Sequence, residues 1–193
     1  MKRKFFVIFA PFSLILFAHF VSPTNATVVR KLSDEEMVSN AQTIVIGTCT
    51  SIKSEWNEER TKIFTYITIV PKNILKGSEP PQEIIIKQLG GEVGEIGMHV
   101  EGISVFEEGE EAFLFLKQGR KGFQSIVGFS QGKLSIKTDP DTQRKILYKR
   151  SIQYIRTPEG KLKRTFVEIK SDKKLFLDEY TGRIQNIIQR TNK

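Results

Sequence analysis

Residues 90–116 read GGEVGEIGMHVEGISVFEEGEEAFLFL. Glycine recurs at 90, 91, 94, 97, 102 and 109, and the apolar run AFLFL (112–116) follows at once. Glycine reaches positive φ without a Cβ penalty, so this spacing predicts a long, sharply bent loop that feeds a buried strand. The segments on either side decide the architecture.

Upstream, residues 44–52 (IVIGTCTSI) are β-branched and bounded by polar residues, which predicts a strand with a bulge at Gly47. Residues 62–75 alternate Ile63, Thr65, Ile67 and Ile69 against Phe64, Tyr66, Thr68 and Val70, the pattern of a two-sided strand. Pro71 marks a bend or an edge near its end. A turn over residues 76–81 leads to a third strand at 83–89. Downstream, residues 111–117 form a fourth strand, and Gly119-Arg120-Lys121-Gly122 turns the chain into a fifth at 123–129. KLSIK (133–137) extends the sheet, and a polar hairpin pairs residues 146–155 with 163–170 across a turn at 157–160. Ser33 and Glu36 have the spacing of a capping box for a short helix, and Leu177, Tyr180, Ile184, Ile187 and Ile188 recur at helical spacing. The reading is a mainly β fold: a five-stranded OB-like barrel with a short N-terminal helix, an added C-terminal hairpin and a terminal amphipathic helix. The glycine loop stands where such a barrel usually carries a helix.

The N-terminus predicts export. Lys2, Arg3 and Lys4 precede an apolar run at residues 5–21, and Ser22-Pro23-Thr24-Asn25-Ala26 offers small residues for cleavage before Thr27. Pro11 and the shortness of the run argue against a retained span, so no stable transmembrane segment is expected after cleavage. The expected organisation is a signal peptide (1–26), the OB-like barrel (27–138), and a hairpin and helix packed on the same domain (139–193). The destination is periplasmic or extracellular, in a bacterium. The chain carries a formal net charge of +8. Acidic residues outnumber basic ones over residues 27–116, and the balance reverses over 117–193. Such asymmetry bears on partners rather than on fold. Cys49 is the one cysteine, so no internal disulfide is possible, and its apolar surroundings predict a buried thiol.

Several motifs carry a resemblance. They are Ala41-Gln42-Thr43-Ile44-Val45-Ile46-Gly47, Ser54-x-Trp56, the Ile74-Leu75-Lys76-Gly77 turn, Gly90-Gly91, Phe106-x-x-Gly109-Glu110 with Phe113-Leu114-Phe115-Leu116, and Val127-Gly128-x-x-Gln131-Gly132. Over residues 33–137 the chain resembles a family of exported bacterial proteins without an assigned activity. More distantly it is similar to the netrin-like, OB-fold module of tissue metalloprotease inhibitors. The resemblance implies a five-stranded barrel and a partner-binding role. Those inhibitors present an N-terminal cysteine to the protease metal, whereas this chain is expected to begin at Thr27 and has Cys49 alone. Inhibition by that route is not supported.

Other motifs point to chemistry that their context withholds. Gly128-Phe129-Ser130-Gln131-Gly132 spells the G-x-S-x-G of serine hydrolases, but the residues after Gly132 read as strand and no histidine follows Ser130. His99 is the one histidine beyond the signal, and a lone imidazole builds no transition-metal site. The 91–97 glycines lack the lysine and hydroxyl of a phosphate loop, and Glu92 and Glu95 would repel a phosphate. Glu107, Glu108, Glu110 and Glu111 lack calcium-loop spacing and read as a solvated turn. Arg120, Lys121, Phe123, Phe129, Lys133 and Tyr148 could make a basic aromatic surface for single strands. Export disfavours nucleic acid, and the phenylalanines read as core. The expectation is therefore a non-enzymatic binding module without cofactor or metal, whose partner is an unknown protein or envelope component. Its binding residues would be Gly90, Gly91, Glu92, Gly94, Glu95, Gly97, His99, Gly102, Phe106 and Gly109. Two alternatives stand beside it. One is an envelope-associated structural protein that docks on anionic surfaces through its basic C-terminal half (145–174); the other is a hydrolase using Ser130 or His99.

Overall fold

The computed structural model describes residues 30–78, 82–156, 158, 160, 162–169 and 173–191, and the fold belongs to the unit that begins at Lys31. The predicted signal peptide lies outside the described residues, as do Glu79, Pro80 and Pro81 of the turn after the second strand. Helix α1 (Asp34–Asn40) starts on the predicted box: Glu36 N donates to Ser33 Oγ at 3.2 Å, and Ser33 N donates to Glu36 Oε2 at 2.9 Å. At seven residues the helix is too short to stand alone, and buried Met37 and Val38 hold it to the sheet.

Strands β1 (Thr43–Trp56) and β2 (Ile63–Lys76) pair antiparallel, with register slips at Ile44/Val45, Ile46/Gly47 and Cys49/Ser51. At the second slip Gly47 faces Pro71. A Cβ on Gly47 would sit 2.6 Å from Ile69 Cγ2 and 2.8 Å from Val70 O, so the bulge brings two backbones too close for any other residue. Strand β3 (Ile84–Leu89) pairs with β2. The glycine loop then forms a small separate hairpin of β4 (Gly91–Val93) and β5 (Ile96–Met98). Strand β6 (Glu111–Gln118) returns along the other edge of β1, and β7 (Gln124–Ile126) pairs antiparallel with β6 and, through Ile86 and Gln124, parallel with β3. The ring β1-β2-β3-β7-β6-β1 closes a five-stranded barrel in OB order.

Strand β8 (Lys133–Thr138) shares the outer edge of β6 with β7, and β9 (Lys145–Arg156) pairs with β8. Beyond Tyr148, β9 pairs along its length with β10 (Leu162–Ile169), while its start pairs with β11 (Leu175–Phe176). Helix α2 (Leu177–Thr191) follows directly.

β1 and β6 bury side chains on both faces. Val45, Cys49, Ala112, Leu114 and Leu116 point into the barrel with Ile67, Ile69, Ile84 and Ile86. Ile44, Ile46, Phe113 and Phe115 point outward, where Met37, Val38, Tyr180 and Ile184 cover them. Each such aliphatic or aromatic side chain contributes about 1.5–3 kcal/mol on burial, so the helical layer is part of the core. Tyr180 Oη donates to Asp34 Oδ1 at 3.0 Å and Arg183 pairs with Asp34 at 2.9 Å, which ties the two helices together.

One predicted strand is shorter than expected. β7 ends at Ile126, and a 3-10 turn (Phe129–Gly132) separates it from β8. The chain must leave the barrel wall and rejoin the same edge of β6, and the turn does this with Phe129 at φ 60 and 53% exposed. Phe129 is therefore no core residue, contrary to the reading of its sequence.

Candidate functional site

The glycine loop is anchored at its root and open at its tip. Gly90 N donates to Ile63 O at 2.8 Å, and Thr65 Oγ1 donates to Gly90 O at 2.6 Å. Thr65 Oγ1 also lies 2.9 Å from Ser54 Oγ. Gly91 follows at φ +140, where a Cβ would come within 2.3 Å of Thr65 Oγ1 and 2.4 Å of Ser54 Oγ. Only glycine lets the hairpin sit on these two hydroxyls. At the far end Val93 pairs with Ile96 across Gly94-Glu95, a two-residue turn with glycine first.

The hairpin and the segment after it enclose a cavity of about 590 Å³ against the barrel. Its floor is Ile52 and Ser54 of β1, Thr65 and Ile67 of β2, and Gln88 of β3. One wall is the hairpin and His99; another is residues 103–106; Ile152 of β9 closes a third side. Hydrogen bonds hold the second wall in place. Gln88 Nε2 donates to Ser104 O at 2.9 Å, Ser104 Oγ donates to Phe129 O at 3.2 Å, and Ser130 N donates to Gly102 O at 2.8 Å. Buried Phe106 reaches from this wall into the barrel core.

Of the residues the sequence singled out, Gly91, Glu92, Gly94, Glu95, Gly97, His99 and Phe106 line the cavity. Gly90 stands one residue behind, in the anchor. Gly102 and Gly109 do not line it; Gly109 N instead donates to Cys49 O at 2.7 Å, on the way into β6. Sequence reasoning missed Ser54, Thr65, Gln88, Ser104 and Ile152. Thr65 carried a signal, since it is the one hydroxyl in the inward-facing set Ile63, Thr65, Ile67, Ile69. Ser104 and Ile152 carried none, because their positions depend on contacts far along the chain.

The acidic run is a solvated turn only at Glu107 and Glu108, which are exposed; Glu110 and Glu111 are drawn into the fold. The Glu110 side chain is 5% exposed and bonds Lys133 Nζ at 2.6 Å; Lys133 is equally buried, donates to Ser135 Oγ at 2.9 Å and lies over the Phe106 ring at 4.7 Å. Arg150 pairs with Glu107 at 2.6 Å and with Glu110 at 3.6 Å, and stacks on Phe166. Glu111 pairs with Lys145 at 2.7 Å, and Glu108 Oε1 accepts from Ile52 N at 3.0 Å. Every carboxylate of the run is engaged: Glu107, Glu110 and Glu111 fasten the loop's return to β8 and β9, and Glu108 fastens it to β1. The hydrogen bond from Arg150 holds the Glu107 carboxyl below its usual range, and burial pushes the Lys133 ammonium down despite Glu110. Burial pushes the Cys49 thiol up to about 11, with the Glu110 and Glu108 charges acting in the same direction. Such a thiol is a core side chain rather than a nucleophile.

His99 Nε2 lies 3.3 Å from Glu101 Oε1 at the surface. Ser130 stands on a 3-10 turn between two strands, without the strand-to-helix elbow that exposes a hydrolase serine. Among the described residues no group of three or more histidine, cysteine or acidic side chains is placed to hold a metal, and no helix is long and apolar enough to cross a membrane. No protein-family model, curated protein or solved structure matches the chain.

Proposed function

We propose that the protein is an exported, non-enzymatic binding module that captures a partner, a protein or envelope component, in the cavity between the glycine loop and the barrel. The observation that carries this reading is the construction of the loop. Its root is fixed on Ser54 and Thr65 by a glycine that no other residue can replace, its return is fastened by buried ion pairs, and its tip is open. A rigid frame around an open cavity of this size, lined by polar and apolar groups together, suits recognition. The netrin-like resemblance, which implies partner binding, points the same way.

Docking on anionic surfaces through the basic residues 145–174 is the second reading. Its own basic groups weaken it: Lys145, Arg150 and Lys174 are engaged by Glu111, Glu107 and Asp139 within the fold. Affinity capture from the organism's own periplasmic or extracellular extract tests both. The wild-type chain should retain a discrete partner, and deletion of residues 91–97 should release it while leaving the barrel folded. Capture that survives the deletion refutes the cavity as the site. Salt-sensitive sedimentation with anionic vesicles, unaffected by the deletion, would favour the second reading.

A further inference from the structure

We infer that the outer face of strands β1, β2 and β3 is a second recognition surface. It takes an extended acidic segment of a partner protein, with a carboxylate over Lys87 and aliphatic side chains two residues to either side. The surface is separate from the cavity. Strand β2 turns Thr65 and Ile67 to the cavity floor and Phe64, Tyr66, Thr68 and Val70 to the outside. Cross-strand register places Lys53 and Lys87 on either side of Tyr66, Leu89 beside Phe64 and Ile85 beside Thr68. The Phe123 ring packs edge-on against Tyr66 at 5.4 Å, which brings the turn of Arg120 and Lys121 to the same face.

Lys87 carries the argument. Its ammonium lies 4.3 Å from the centre of the Phe64 ring, 5.0 Å from that of Tyr66 and 5.2 Å from that of Phe123. Three rings thus hold in place a charge that a surface lysine ordinarily leaves mobile in water. Among the described residues no carboxylate pairs with Lys87, nor with Lys53, Arg120 or Lys121. Elsewhere the fold does the opposite: Lys133, Lys137, Arg144, Lys145, Arg150 and Lys174 each face an acid. A carboxylate arriving at Lys87 meets a positioned cation that no acid neutralises, and little side-chain freedom is lost in forming the pair.

The neighbours of Lys87 set the rest of the ligand. Ile85 is 40% exposed and Leu89 36%, two residues to either side on the same face of β3. Such side chains on an open sheet face gain by being covered. An extended polypeptide has the same two-residue period, so the pattern aliphatic-x-acid-x-aliphatic matches Ile85, Lys87 and Leu89 in turn. A polyanion would set charge against these aliphatic side chains. Both it and an anionic bilayer would also bring negative charge to Glu55, which stands across from Phe64.

Titration of the isotope-labelled chain with blocked pentapeptides, followed through its amide resonances, tests this. The first peptide reads leucine-serine-glutamate-serine-leucine; others carry glutamine or lysine at the centre, or serine in place of both leucines. The glutamate peptide should shift the amides of residues 85–89 and 123. It should bind about fivefold more tightly than the glutamine peptide, with the lysine peptide weaker still. The peptide without leucines should bind more weakly than its parent. Lys87→Met keeps the stem on the rings without the charge. With an unchanged circular dichroism spectrum, it should bring the glutamate peptide to the glutamine peptide's level and leave the glutamine peptide as it was. Equal binding of the glutamate and glutamine peptides, or no binding by any peptide, would overturn the proposal, and shifts confined to residues 91–99 would overturn the choice of face. If pentaglutamate or vesicles of anionic phospholipid bind through Lys87 while the leucine peptides do not, the face belongs to a polyanion or a membrane and the polypeptide form falls. The cavity reading is decided separately, by whether partner capture depends on residues 91–97.

Discussion

Replacing Glu110 by glutamine removes the charge that holds Lys133 in the fold. Lys133 is 5% exposed, and its ammonium has Glu110 at 2.6 Å, Ser135 Oγ at 2.9 Å and the Phe106 ring at 4.7 Å. Without the carboxylate it keeps a hydroxyl and a ring face, with the Arg150 guanidinium nearby as a repelling charge. Breaking one side of such a buried pair costs about 3–5 kcal/mol. In a domain of this size that lowers Tm by roughly 10 °C. Lys133→Met should cost less, about 1–2 kcal/mol, because Glu110 retains Arg150 at 3.6 Å and the methionine fills similar space. The double variant Glu110→Gln, Lys133→Met leaves neither charge stranded and should return to within about 1 kcal/mol of the wild type. Urea denaturation of the four proteins, followed by circular dichroism, gives the cycle. If the two single costs simply add in the double variant, to within about 0.5 kcal/mol, the pair does not act as a unit and the account of the loop's fastening is wrong.

Two further predictions concern neighbouring features. Gly91→Ala should destabilise the fold by about 1–3 kcal/mol and displace the hairpin, because its Cβ would meet the Ser54 and Thr65 hydroxyls at a positive φ. Gly94→Ala, at φ +62 in open space, should cost about 1 kcal/mol, so equal denaturation midpoints for the two variants would contradict the anchor. The Cys49 thiol, raised from 9.0 to about 11, contributes stability that is full below pH 9 and is lost as pH rises through its folded value. That loss amounts to roughly 2–3 kcal/mol, and Cys49→Ala should lack it. A wild-type minus variant difference in stability that is the same at about pH 8 and about pH 11 would contradict the thiol's burial against two carboxylates.

The barrel was legible because strand alternation is local. The alternation over residues 63–70 marked β2 as a two-sided strand, Gly47 marked the bulge of β1 and Ser33 the start of the first helix, each from spacings a few residues long. The cavity was half legible. Glycine spacing marked the loop's bends and so found most of the hairpin wall, but its floor comes from β1, β2 and β3, and Ile152 comes from a strand some fifty residues downstream. Phe129 misled because its hydrophobicity suggested core, while the chain's return to the edge of β6 forced it into an exposed turn.

The sequence by itself determined the order of strands, the export signal as an expectation, the single buried thiol and the place of the glycine loop, since all of these follow from composition and short-range period. It could not say which of the two apolar faces of β1 and β6 lines the barrel. Helix α2 decides that, by covering Phe113 and Phe115 and bonding Asp34 from 146 residues away. Nor could it say that Glu110 is buried. A carboxylate leaves water only where a cation waits for it, and Lys133 reaches that place only when β8 pairs with β6.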